Sequence, residues 1–392
     1  MSGRAHILCV AHSITCHDPH YNPTDAFVNT ALYLARLLTQ RGGYEVYMYA
    51  VEGSKCPGVK EVVEVVSGDT YRRVYGRRDD SIVNTFSDTQ ADSWTEHNRR
   101  SAVEVLKRRL SERDLVLPMF GCAHKPCTDI LQRQGMPCVV EPCVGHPGSY
   151  APFRVYCSYA WLYTDMTSKG YHRVQNYWSV VPHFLFPGDF PLGDGSGGYA
   201  LYLGRIQEDK GVSLALQACR AANIPLKIVG NGTGVEGQAE CLGVLGMEDK
   251  IKMLSRAAVV FVPTQYVEPF SYACLEAQFC GTPVLCTRWG GPSEIVLHGQ
   301  TGFHCDTLQS FVDAVPLCMA LDRASIRALA VQRFSDEAVC SEFCEYFTKV
   351  EDYCEGKSHF YTLGGTCKRP GWGMGRLTSG SSVSTSSASS SA

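Results

Sequence analysis

Short apolar runs alternate with longer amphipathic ones along this chain, and the alternation occurs twice. That order restricts the fold. Strands separated by helices cannot pair as hairpins; they lie parallel, with helices covering both faces of the sheet. In the first half, His6–Val10 reads as a strand and Ala26–Gln40 as a helix stopped by Arg41-Gly42-Gly43, with Glu45–Val51 as the next strand. Strands are expected at Leu115–Met119 and Cys138–Glu141, with helices near Ser101–Leu110 and Thr128–Gln134. Pro187 to Gly198 is dense in Gly, Pro and Asp and reads as a linker. A second series follows. Strands are expected at Ala200–Leu203, Leu226–Val229, Val259–Val262 and Val284–Thr287. Helices are expected at Val212–Ala222, near Asp249–Arg256, after Pro269, and from Leu308 to about Tyr353.

The expected class is therefore α/β, with two doubly wound parallel sheets in domains 1–186 and 199–353. Residues 354–378 read as an extension, and 379–392, made of Ser, Ala, Thr, Gly and Val, as a disordered tail. With 392 residues and 45% apolar side chains, the chain can bury two ordinary cores. Its formal charge of −3 gives no support to a nucleic-acid partner. The odd count of 19 cysteines in a chain this large, with no signal-peptide core at the start, favours reduced thiols and a cytoplasmic location. No stretch approaches the roughly 20 apolar residues of a transmembrane segment. Cys122-x4-Cys127 and Cys340-x3-Cys344 lack the ligand pairs of a zinc site, so no metal is expected.

The chemistry-bearing residues sit where strands end. Gly204, Arg205, Lys210 and Gly211 follow the strand at Ala200–Leu203. Gly204 permits close backbone approach, and the two cations suit a diphosphate, Arg as a fork and Lys as a point charge; a solvated basic turn is the bland alternative. Gly230 and Gly232, after the second strand, read as close-approach turns on a crevice wall, structural or ligand-contacting; the run fits the dinucleotide-binding fingerprint poorly, since no clear strand with a ribose-binding acid follows about 20 residues on. Glu268 and Glu276, separated by seven residues, flank the start of a helix for which Pro269 suits the first turn. The amides of Phe270 and Ser271 would then face an anion, and a buried Glu276 would suit a pair of ligand hydroxyls. Helix capping at 268 and a core salt bridge at 276 remain the alternative.

Taken in order, these segments resemble the retaining glycosyltransferases of family 4. The resemblance is carried by Gly204-Arg205 with Lys210-Gly211, Val229-Gly230-Asn231-Gly232, Val244-Leu245-Gly246, Pro263-Thr264, Glu268-x7-Glu276, Gly281-Thr282-Pro283-Val284, Gly290-Gly291-Pro292-Ser293-Glu294 and Gly299-x2-Gly302. It implies a GT-B fold, two Rossmann-like domains facing across a cleft. By the same resemblance Arg205 and Lys210 bind the donor diphosphate, Glu268 contacts the donor sugar with Phe270 and Ser271, Glu276 holds the ribose, and Val244 lies against the base. Ser271 stands where that family usually has Gly.

The first half resembles the family in architecture only. Its loop after the first strand carries His12, His17, Asp18, His20 and Asp25. Acceptor recognition is the favoured role, with His17 and Asp18 as candidates and Glu141, on the strand at Cys138–Glu141, as a further acceptor-side candidate; for the loop, a plain turn and a metal site are the alternatives. His146 is the candidate for a histidine delivered to the donor sugar, and Glu141 is the fallback on that strand; Asp-x-Asp, the donor-metal motif, is absent. The resulting expectation is a metal-independent transfer of a sugar, with retention, from a nucleotide-diphosphate sugar to the hydroxyl of a carbohydrate, lipid or protein-glycan acceptor. A non-catalytic sugar-binding module and a sugar-nucleotide epimerase are the competing readings.

Overall fold

Glu45–Val51 is buried at all but its first residue, as a strand covered on both faces must be. In the computed structural model, which describes residues 3–16, 25–76, 91–235, 237–357 and 360, it is β2 of a parallel sheet ordered β3-β2-β1-β4. Here β1 is Arg4–Leu8, β3 Glu61–Val66 and β4 Leu115–Pro118. A parallel bridge from Val116 to Val139 leads on to β5 (Val140–Val144), β6 (Phe153–Tyr156) and β7 (Trp178–Val180), themselves parallel. The strand expected at Cys138–Glu141 thus starts later and runs through Pro142. The register shifts between Glu141 and Val144, a bulge where proline is tolerated.

The second sheet is also parallel, ordered β10-β9-β8-β11-β12-β13. Its strands are β8 (Ala200–Leu203), β9 (Leu226–Val229), β10 (Glu240–Cys241), β11 (Val259–Val262), β12 (Val284–Cys286) and β13 (Gly302–His304). Strand order reverses between β1 and β4 in one sheet and between β8 and β11 in the other. The crevices at those two reversals, at the carboxyl ends of the strands, are where α/β sheets bind ligands.

Caps and packing explain the helix limits. Asp25 accepts from the amides of Phe27 (2.9 Å) and Val28 (3.3 Å) and starts the helix Ala26–Gln40 where the sequence predicts it. The helix Asp336–Cys354 returns to the first sheet. Leu185 and Ser335 form a parallel bridge, the Tyr346 hydroxyl donates to Tyr177 O (2.7 Å), and Glu351 accepts from Tyr44 (3.2 Å) and Arg113 (3.1 Å). The Gly-rich segment before β8 is packed, not free. Gly193, Gly195 and Gly197 donate to the carbonyls of Cys280, Ser255 and Arg256, while Arg323 donates to Gly193 O, Ser255 O and Ala257 O. Among the described residues no helix is long and apolar enough to cross a membrane.

Candidate functional site

The loop after β8 is tied down before it presents its cations. Gly204 N donates to Val229 O (3.0 Å), and the Tyr202 hydroxyl donates to Arg205 O (2.7 Å). A Cβ on Gly230 would stand 1.8 Å from Gly204 O, and one on Gly232 would stand 2.6 Å from the Ile206 side chain. Both glycines are therefore close-approach positions, as the sequence suggests. Gly211 takes φ +76 under Pro263, so the β8 and β11 loops interlock. Arg205 is exposed, and no described carboxylate pairs with it. Lys210 donates to Glu268 Oε1 (2.8 Å) and its ammonium lies 4.9 Å from the centre of the Tyr266 ring. Burial works against that charge, but Glu268 and Tyr266 outweigh it and hold the ammonium above its ordinary value.

Glu268 is the hinge of the site. Its Oε2 is buried and has no hydrogen-bond partner among the described residues, a state that costs free energy unless a ligand donor completes it. The backbone around it is fixed by Gly291 N donating to Glu268 O (2.7 Å) and by Pro269 O, which accepts from Ser158 Oγ (2.5 Å) across the cleft. Pro269 does not open the helix. The helix is Tyr272–Phe279, capped by the Ser271 side chain on Cys274 N (3.4 Å), with Ser271 at φ +133. Ser271, where the resemblance to family 4 leads one to expect glycine, thus carries a backbone angle that favours glycine. The Phe270 ring packs edge-on against His183 (4.8 Å), which stacks on Tyr272 (5.0 Å).

Glu276 is 3% exposed, and its Oε1 accepts from Lys250 Nζ at 2.6 Å. The core-pair alternative for Glu276 is thus realised in part, with one carboxylate oxygen unused by the described hydrogen bonds. Lys250, 8% exposed on the helix Met247–Arg256, was missed by motif reading. Its signal was there: it occupies the inward place one turn before fully buried Leu254. Val244, just upstream, is exposed. A groove of about 360 Å³ is lined by Ile206, Val212, Leu216, Thr233 and Val235 and not by Arg205, Lys210 or the two glutamates.

The first sheet supplies the opposite wall. A Cβ on Gly145 would stand 3.4 Å from Pro269 Cβ, so the end of β5 abuts the Glu268 corner. His146, next in sequence, is half-buried, stacked on Phe120 (5.5 Å) and edge-on to Phe27 (5.3 Å). Burial pushes its imidazole below the ordinary value. Glu141 lies elsewhere. It is 1% exposed, and its Oε2 accepts from the amides of Tyr150 and Ala151 (2.8 Å each), so the carboxylate holds the 149–151 loop and does not face the cleft. That placement corrects its candidacy for acceptor contact. His17 and Asp18 lie outside the described residues. Among the described residues, no three His, Cys, Asp or Glu side chains cluster as metal ligands.

One motif missed by role rather than by sight is Glu294. Its carboxylate accepts from the amides of Tyr159 (3.0 Å) and Ala160 (2.7 Å), capping the helix Tyr159–Ser168 of the first half.

Comparison with known proteins bears on this arrangement. Residues 193–323 match the family model of glycosyl transferases group 1. That segment contains both lysines, both glutamates and Arg205. Curated relatives include the D-inositol 3-phosphate glycosyltransferase of Pseudarthrobacter chlorophenolicus, 33% identical over 144 residues, 32% of this chain and 32% of that protein. The Mycobacterium tuberculosis glycogen synthase is 33% identical over 122 residues, 27% of this chain and 29% of that one. The chain therefore matches about a third of the length of these relatives. Among solved structures, a sucrose-phosphate synthase from Thermosynechococcus elongatus aligns with TM-score 0.66 at 13% identity, over 89% of this chain and 99% of that one. Anabaena HepE, solved with UDP and glucose, aligns with TM-score 0.63 at 14% identity, over 88% and 99%. The fold is GT-B, as the sequence predicts.

Proposed function

We propose that this chain is a retaining glycosyltransferase that moves a sugar from a nucleotide-diphosphate sugar to an acceptor hydroxyl. The observation that carries the reading is the Lys210–Glu268 pair with its orphaned Glu268 Oε2, set beside exposed Arg205 at the strand-order reversal. Arg205 and Lys210 neutralise the diphosphate as the anomeric C–O bond breaks and its electron pair leaves with the phosphate oxygen. Glu268 Oε2 accepts from a hydroxyl of the donor sugar, and Glu276 from the ribose. The acceptor hydroxyl attacks on the face the diphosphate is leaving, and its proton passes to the departing phosphate oxygen. Two protein cations supply the charge stabilisation, so the step needs no metal. The two curated relatives named above carry a glycosyltransferase and a glycogen-synthase name, and the UDP complex of Anabaena HepE makes uridine the first base to try.

The test is a calorimetric and thermal-shift panel of UDP, GDP and ADP with their glucose conjugates. One base should stabilise the protein, and Arg205→Ala should abolish the effect. With the preferred donor, Lys210→Met should lower kcat by about 10²–10³-fold. Binding of no nucleotide would overturn the reading, and a product of inverted anomeric configuration would overturn retention.

A further inference from the structure

We infer that Lys250 is a positioning residue that makes the donor site selective for a ribose diol over a deoxyribose. The inference rests on the reading of Glu276 as the ribose acceptor and goes beyond it to a residue outside every motif described above.

The geometry is that of a held carboxylate. Lys250 Nζ takes Glu276 Oε1 at 2.6 Å, with the two side chains 10% and 4% exposed. A buried ion pair adds little to stability by itself, since desolvation offsets most of the attraction. Here the pair has a second consequence. With Oε1 fixed, the carboxylate plane is fixed, and the remaining lone pairs have one direction in which to accept. A carboxylate accepts only, and the cis-diol of a ribose donates two hydroxyl protons, so the two are complementary.

The placement of Lys250 couples two contacts. Its helix starts at Met247, capped by Gly246, directly after exposed Val244. The chain that borders the base site thus continues into the helix whose fourth residue holds the ribose acceptor. On the other side, Glu276 is borne by the helix that follows the Glu268 corner. Lys250 therefore ties the base-side element to the sugar-side element through one carboxylate.

The experiment measures calorimetric affinity of the full chain for UDP, GDP and ADP, each beside its 2′-deoxy and 3′-deoxy form. Wild type should bind one ribonucleotide at least about tenfold more tightly than its deoxy forms, as expected for a hydrogen bond to a charged group. Lys250→Met should weaken the ribonucleotide by about tenfold and leave the deoxy forms nearly unchanged, so that the ratio collapses toward one. Because Lys250→Met leaves Glu276 buried without its cation, the double variant Lys250→Met with Glu276→Gln serves as the folded control; it should restore thermal stability and still show no discrimination. An unchanged ribo-to-deoxy ratio in folded Lys250→Met protein would overturn the inference. Failure of wild type to bind any nucleoside diphosphate would instead overturn the donor-site reading beneath it.

Discussion

Removing the charge of Glu141 should change how stability depends on pH while leaving the cleft intact. Glu141 is fully enclosed; burial raises its carboxyl from 4.5 to about 7, against the pull of Arg154 and the Tyr150 and Ala151 amides. Its Oε1 has no hydrogen-bond partner among the described residues, and Arg154 Nε stands 3.7 Å from Oε2, an ion pair without a direct hydrogen bond. In the unfolded chain the same group titrates near 4.5. Between those two values the folded protein binds a proton that the unfolded chain does not. Stability from this group is therefore highest below pH 4.5, falls as pH rises through the window, and is fully lost above about 7. At 1.36 kcal/mol per pH unit the full swing is about 3 kcal/mol, an upper figure for a group with relaxing neighbours. His97 and His183, held down to about 4 and about 3 by burial, act with the opposite sign and weaken the fold as pH falls below 6.5. Comparing wild type with Glu141→Gln cancels them. Urea unfolding at pH 5, 6, 7 and 8 should give two curves that diverge, with the variant gaining on wild type by up to about 3 kcal/mol at pH 8. Parallel curves would refute the placement of this carboxylate. Kinetics add a second check: an acceptor KM unchanged in the variant fits the observed placement, whereas a raised one would return Glu141 to the cleft.

Other residues offer equally direct tests. Gly230→Ala must push a methyl to within 1.8 Å of Gly204 O; we expect about 3 kcal/mol of destabilisation by chemical denaturation, with nucleotide affinity falling further than in a control of equal stability, since Arg205 moves with Gly204. Ser271→Gly removes a φ of +133 that costs about 1–3 kcal/mol and forfeits a weak cap plus some chain entropy worth less together. An unfolding free energy in urea raised by about 1 kcal/mol is expected, and a lowered one would show that the backbone there is unstrained. Arg323→Met should leave the carbonyls of Gly193 and Ala257 without the Arg323 donor, remove one of the two donors to Ser255 O, and cost about 3 kcal/mol. Limited proteolysis should then cut within residues 187–198, and resistance equal to wild type would argue that other contacts hold that segment.

Much of the fold is legible in the sequence because parallel strands buried on both faces are written as uninterrupted apolar runs. β8, β9 and β11 lie where those runs lie. The helix Asp92–Arg108 is harder to read at its start, where the inward residues Ser93, His97, Asn98 and Ser101 around Trp94 are mostly polar; only Ala102 and Val105, in the part the sequence does mark as helical, give an apolar period. β10 and β13 are two and three residues long and are defined only by the neighbours they pair with.

The site divides along the same line. Arg205, Lys210, Glu268 and Glu276 stand out because each sits at a fixed distance from a strand end or a glycine, and such spacing survives in one dimension. What each charge is paired with does not. Glu268 meets a lysine 58 residues away and Glu276 one 26 residues away, and both pairings depend on which strands are adjacent in a sheet whose order reverses between β8 and β11. Two glutamates seven residues apart therefore look alike in sequence and differ in the fold. One shares its lysine with the proposed diphosphate site and leaves a buried oxygen open. The other is fixed by a lysine that no motif includes. If the ribose selectivity follows Lys250 and the leaving-group chemistry follows Lys210, the seven-residue spacing marks two separately charged halves of one donor site, and donor binding and catalysis can be altered independently.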